Sequence, residues 1–310
     1  MELQENDGKS KKTLKRASIN DKTGKRVNKP EEIKKVHLDY YKELLTIKPA
    51  ETKEESIVED TVNRCINTMK QKSNNIEIKP ITDKEYEDMK VSLDNNKAPD
   101  MEGWFYEMVK NAGKDLEESI KMMIRTMTET KEIADEWNKM SIHPKDKNAG
   151  WLVMSNKRGL FLTNIISKCV EKILFKRNEN TLIKHLSPYS NGGIKERGIQ
   201  DNLFVVNYMI NKYRKARKNL YLLFADIEKC FDNLWLRDCI LELVRCGVPV
   251  EESMYIFQMN ELVLATVKTP VGDTEEINLM KLSSRALLEQ IMLCQLIELT
   301  KWEAVMSQME

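Results

Sequence analysis

Residues 220–232 read L-Y-L-L-F-A-D-I-E-K-C-F-D, and the fold turns on how this stretch is taken. Residues 220–225 carry only apolar side chains or a tyrosine before the first carboxylate, Asp226. A run of that length fits a strand buried on both faces better than a helix. A carboxylate at the C-terminal end of such a strand stands where an open sheet places its chemistry. Asp232 adds a second carboxylate six residues on, with Phe231 beside it. On spacing alone the plainer reading of Asp226 is a helix cap or turn residue, because Asp favours both.

Upstream, a helix expected over 200–215, with Leu203, Val206, Met209, Ile210 and Tyr213 inward, leads into this strand. It closes on K-Y-R-K-A-R-K (212–218), positive charge that suits a helix C-terminus as well as nucleic acid. Downstream, a helix over 235–246 stops at Gly247 with Pro249 beyond it. A further helix over 250–260 and a hairpin over 263–279, turning at V-G-D, follow.

The N-terminal half is helical in pattern. Residues 30–46 form a helix with Pro30 in the first turn and Ile33, Val36, Tyr40 and Leu44 on one stripe. Residues 48–75 read as a linker, partly helical between 54 and 72. T-D-K-E at 82–85 is a capping box, and the helix it opens is expected to run to about 95, with Tyr86, Met89 and Leu93 inward. Helices are expected over 115–131, with Leu116, Ile120, Met123, Ile124 and Met127 inward, and over 164–179. The second leaves Lys168, Lys172, Lys176 and Arg177 as an outward basic face, suited to a phosphate backbone or simply to solvent.

Composition narrows the classes. The 310 residues suffice for two or three modest domains, and a net charge of +1 with 32% charged residues gives no global basic field. K-S-K-K-T-L-K-R (9–16) is a basic patch inside a polar arm. The six cysteines form no C-x-x-C pair and the three histidines are scattered, which argues against a zinc site or a disulfide framework. Free thiols suit an intracellular protein. No run approaches the ~18–20 apolar residues of a membrane span, and no signal-peptide core is expected at the N-terminus.

The block F-A-D-I-E-K-C-F-D resembles the F-x-D-x-x-K-A-F-D block of reverse transcriptases from non-LTR (LINE-like) retrotransposons. Other blocks share the resemblance, from about residue 81 to about 294. N-K-A-P-D-M-E-G (96–103) is similar to the family's K-A-P-G-P-D-G fingers loop, with Lys97, Ala98, Pro99 and Gly103 in step. A-D-E-W-N-K-M-S-I-H-P (134–144) resembles a fingers strand, and N-K-R-G-L-F-L-T-N (156–164) resembles N-Y-R-G-I-S-L-T-N. Residues 186–204 resemble Q-x-G-F-R-x-G-R-S-T-x-D, with Gly193, Lys195, Arg197 and Asp201 in step and Glu196 where a glycine is usual. Residues 30–45 resemble the connector that joins endonuclease to reverse transcriptase; no endonuclease stands before it in these residues, so the chain reads as an excised portion.

The resemblance implies an α+β fold, mostly helical, made of the fingers and partial palm of a right-hand polymerase with a small antiparallel sheet. Residues 1–78 would be a basic arm and helical connector, 79–200 the fingers, and 201–310 a partial palm. It implies an RNA-directed DNA polymerase working on an RNA template and a DNA primer, or an RNA–DNA hybrid, with Mg²⁺. Asp226 would be the catalytic carboxylate and, with the carbonyl of Ile227, a metal ligand. Arg158 would hold the nucleotide triphosphate and Phe231 would gate its sugar. Lys97, Lys195 and Arg197 would contact nucleic acid.

The family's second carboxylate strand, Y-A-D-D or F-A-D-D, has no counterpart in this sequence, where F-A-D occurs once, at 224–226. Ser284 and Arg285 stand where the nucleotide-positioning Gln and Gly would be. Two-metal chemistry holds a pair of ions ~3.5–4 Å apart, and one carboxylate is too little charge for that. The expectation is a truncated, catalytically incomplete reverse transcriptase. The competing readings are a non-enzymatic nucleic-acid-binding fragment and a pseudogene product with no molecular role.

Overall fold

The computed structural model describes residues 18–46, 50, 52–147, 152–185, 191, 196–224 and 235–279. Within these the chain is α+β and mostly helical. Strands β1 (Ile19–Asn20) and β2 (Arg26–Val27) form a short hairpin, followed by α1 (Pro30–Leu45) and α2 (Lys53–Ser73). Next come α3 (Asp83–Val91), α4 (Tyr106–Lys110) and α5 (Lys114–Thr130), then strands β3 (Lys139–Asp146) and β4 (Lys157–Thr163). Helices α6 (Ile165–Ile183), α7 (Ile199–Ala216), α8 (Leu236–Arg245) and α9 (Val250–Glu261) precede β5 (Val263–Thr269), β6 (Gly272–Asp273) and β7 (Ile277–Leu279).

Local chemistry sets these boundaries. Pro30 sits in the first turn of α1, where its missing N–H costs nothing. Thr82 and Glu85 form the expected capping box on α3, which ends at Val91, short of the expected 95. Thr52 and Glu55 form a second capping box, so the stretch read as linker opens a 21-residue helix. That helix packs on α8 and α9.

Two cores result. The larger is helical and joins Ile120 and Ile124 of α5, Cys169, Val170 and Leu174 of α6, Ile240 of α8 and Phe257 of α9. The smaller lies between α1 and the sheet, where Ile33 and Tyr41 meet Met140, Ile142, Ala265 and Val267. Gly159 belongs to this second core for a steric reason: a Cβ there would stand 3.1 Å from the Tyr41 ring. Of the inward residues expected on α5, Leu116 and Met123 are exposed, while Ile120, Ile124 and Met127 are buried.

The sheet runs β4-β3-β5-β6, with β7 also on β5. β4 pairs antiparallel with β3, but β5 pairs parallel with β3, Met140 opposite Ala265. The sheet is therefore mixed rather than purely antiparallel. The hairpin expected over 263–279 is present, with β5 against β6 and β7.

The buried central strand expected over 220–225 is corrected for its described part. Residues 218–224 form no strand, and Tyr221, Leu223 and Phe224 are 85%, 92% and 80% exposed. No place beside β5 is open to this segment, because β5 is flanked by β3 on one side and by β6 and β7 on the other.

An ion-pair cluster pins α6 to α3 and α9. The Arg177 guanidinium donates to both Glu85 oxygens, at 2.8 and 3.1 Å, and to Glu252 Oε1 at 2.8 Å. It also reaches the Lys79 carbonyl at 3.0 Å. Burial alone would raise the Glu85 carboxyl, but the Arg177 guanidinium and hydrogen bonds from Thr82 hold it down at about 2.

Candidate nucleic-acid interface

Strand alternation divides the sheet into two faces. Met140, Ile142, Phe161, Ala265 and Val267 point toward α1. The other face carries Lys139, Ser141, His143 and Lys145 of β3, Arg158, Leu160 and Leu162 of β4, and Leu264, Thr266 and Lys268 of β5. Four permanent cations and one histidine thus share a face to which the same strands contribute no carboxylate. The carboxylate of Asp273 on β6 pairs with Lys268 at 2.5 Å.

Lys145 and Arg158 are directly opposite in the ladder and both exposed. Like charges in opposed positions destabilise an antiparallel pair. The arrangement becomes favourable when an anion sits between them: the guanidinium grips two phosphate oxygens at once and the ammonium adds a point charge. His143 lies one register step inward, its Nε2 3.0 Å from the Ser141 hydroxyl. Burial pushes the His143 imidazole down and Lys268 pushes it further, while Asp273 opposes them. It is thus a neutral hydrogen-bonding group at pH 7. The Thr266 hydroxyl, on the same face, is shut from solvent and has no hydrogen-bond partner among the described residues.

The remaining expected site residues fall as follows. Lys97 is exposed in the loop before α4 and pairs with Asp94 at 3.4 Å. That loop is organised by Asp100, whose Oδ1 accepts from the backbone of Glu102 and Trp104 at 3.0 and 2.9 Å. Arg197 is exposed just before α7. Asp226, Ile227, Phe231 and Lys195 lie outside the described residues.

The outward basic face expected on α6 is a correction. Arg177 is committed to Glu85 and Glu252. Lys172 donates to the Ser92 carbonyl at 2.8 Å, and Lys176 pairs with Glu179. Burial lowers the Lys168 and Lys172 ammonium groups. Helix α6 buries polar Ser167, Glu171 and Asn178 along with its apolar residues, so packing claims most of its circumference. By contrast Lys212, Arg214, Lys215, Arg217 and Lys218 at the end of α7 are all exposed.

Sequence reasoning named Arg158, as a ligand of the nucleotide triphosphate, and did not name Lys145, His143 or Lys268. Alternation along 139–145 was the available signal; which residues share a face with β5 depends on a pairing that spans more than a hundred residues.

Among the described residues no group of three or more His, Cys, Asp or Glu could hold a metal ion. Asp226 and Ile227, the ligands that the sequence resemblance implies for a divalent ion, lie outside those residues. Among them, too, no helix is long and apolar enough to cross a membrane.

A family model described as "Reverse transcriptase (RNA-dependent DNA polymerase)" matches residues 143–275. The match begins on β3 at His143 and takes in β4, α6 to α9, β5 and β6. It therefore contains every cation of the sheet face except Lys139. Comparison with curated proteins gives no match.

Proposed function

We propose that this chain is the fingers and first part of the palm of a reverse-transcriptase-like polymerase of the non-LTR type, and that its sheet face grips the phosphates of an RNA template or an RNA–DNA hybrid. The observation that carries this reading is the opposed Lys145–Arg158 pair, an anion site inside the segment that matches the reverse transcriptase model. The non-LTR assignment is supported by the blocks at 96–103, 156–164 and 224–232, quoted above.

The chain's own residues divide the work. Arg158 and Lys145 bind phosphate oxygens in pairs, and Lys268 extends the cationic strip along β5. Lys139 extends it along β3. Lys212, Arg214, Arg217 and Lys218 at the exposed basic end of α7 add a second phosphate contact. These contacts position the nucleic acid without reading its sequence. By the resemblance Asp226 would hold a divalent ion, which would supply activation of the primer hydroxyl. This sequence offers one such carboxylate block, so we assign these 310 residues binding without primer extension.

Fluorescence anisotropy with a labelled RNA–DNA hybrid, paired with a primer-extension assay in Mg²⁺ or Mn²⁺, tests both parts. The expected result is sequence-independent binding that weakens steeply with salt, and no extension. Template-dependent extension abolished by Asp226→Ala would overturn the assignment of inactivity. Absence of binding at low salt would favour a chain with no molecular role.

A further inference from the structure

Helix α7 is 18 residues long and has no buried residue. Its least exposed side chains, Val206, Met209 and Tyr213, share one side. The opposite side carries Asp201, Phe204, Tyr208, Asn211 and Lys215, all exposed, at alternating steps of three and four residues. That spacing is the seam of a helix that pairs with another helix. Phe204 and Tyr208 at its centre are 72% and 58% exposed. Isolated helices of this length are marginal in water, and most helical stability in proteins comes from packing an apolar face.

We propose that this seam pairs with the same seam of a second copy of the chain, antiparallel and centred near Tyr208. The charges select the occupant and its direction. Asp201 and Lys215 lie seven residues to either side of Tyr208, so antiparallel pairing sets each Asp201 opposite the second copy's Lys215. Parallel pairing would oppose like charges at both ends. Antiparallel pairing also sets the two helix dipoles against each other, N-terminus to C-terminus. Phe204 then packs beside the second copy's Asn211, and the Tyr208 rings meet at the two-fold axis.

The extended segment after α7 adds exposed Tyr221 and Phe224 to the apolar surface nearby in sequence. An aromatic side chain carries ~150–250 Å², so these four rings expose roughly 500 Å². A stable interface takes about 800 Å² per partner. The dimer is therefore weak and concentration-dependent.

Sedimentation velocity of the full chain from about 1 to 100 µM tests this. The expected result is a weight-average mass that climbs toward the dimer. Phe204→Ala with Tyr208→Ala should hold the chain monomeric while far-UV circular dichroism stays unchanged. Asp201→Lys and Lys215→Asp should each weaken association about tenfold, and together restore it. If the seam variants unfold the helix, crosslinking decides. With Cys65, Cys230 and Cys294 replaced by Ser, Tyr208→Cys should form an oxidised dimer and Ile210→Cys should not. A monomer at every concentration overturns the proposal, as does a dimer indifferent to the charge exchange. A monomer whose seam is protected by residues 281–310 or by an unrelated protein overturns it too.

Discussion

The Asp100 carboxylate accepts the first backbone N–H of α6, from Ile165, at 2.9 Å across 65 residues of sequence. Its other oxygen holds the turn that ends at Gly103, which has a φ of +83°. Asn164 takes the next two N–H groups of α6, from Ile166 and Ser167. Three of the helix's unpaired donors are thus met, and a negative charge lies at the positive end of its dipole. Where the resembled fingers loop has glycine, this chain has a tether between that loop and the helix that follows β4.

Removing that tether should be costly. Asp100→Ala leaves the Ile165 donor buried and unmet, and should lower stability by about 1–2 kcal/mol. Asp100→Asn keeps an acceptor and should cost less. Urea unfolding midpoints of the two variants check this ordering.

The Arg177 cluster gives a larger expected effect. Arg177→Met leaves Glu252, itself buried, without its cation. Breaking one partner of a buried pair costs about 3–5 kcal/mol. Adding Glu252→Leu removes the stranded charge and should recover part of the loss. A double variant no more stable than Arg177→Met would contradict the account.

Acid should act in two windows. Burial pushes the His37 imidazole down from its ordinary 6.5, and Lys157 adds to this against the Ile33 carbonyl. The unfolded chain therefore binds this proton first, so stability is full above about 6.5 and declines as the pH falls below it. Glu85, held at about 2 against an ordinary 4.5, gives stability that is full above 4.5 and lost as the pH falls toward 2. That second loss is on the order of 2 kcal/mol. Midpoints measured from pH 8 to 3 should show both declines. His37→Leu should reduce the upper one and Glu85→Gln the lower.

Glu196 is held at a φ of +67°, where the resembled block has glycine. A side chain in that left-handed region costs ~1–2 kcal/mol, part of which a glycine's extra unfolded-state entropy offsets. Glu196→Gly should therefore raise stability by about 0.5–1 kcal/mol. A drop in the thermal midpoint would contradict this.

The helices were legible because their signals are local. Pro30, the Thr82–Glu85 box and the stop at Gly247 each act within a turn of the boundary they mark. Long-range choices were not. The parallel pairing of Met140 with Ala265 is a register between distant segments, and nothing in either strand alone states it. The apolar run at 220–224 has a buried strand's composition, yet no neighbouring edge receives it. On α6, Lys172 and Arg177 look like surface residues in sequence, but their long side chains reach backbone and carboxylate partners on other elements. Of the candidate site, Arg158 was named through its motif, whereas its neighbour Lys145 became visible only once β3 and β4 were in register.

Phosphate binding by the sheet face is tested most directly by the salt dependence of hybrid binding. The slope of log affinity against log salt counts neutralised phosphates at ~0.9 per contact on a duplex. Lys145→Ala with Arg158→Ala should reduce that slope by about two and weaken binding evenly across sequences. An unchanged slope and affinity in the double variant would contradict the account and remove this face from the interface.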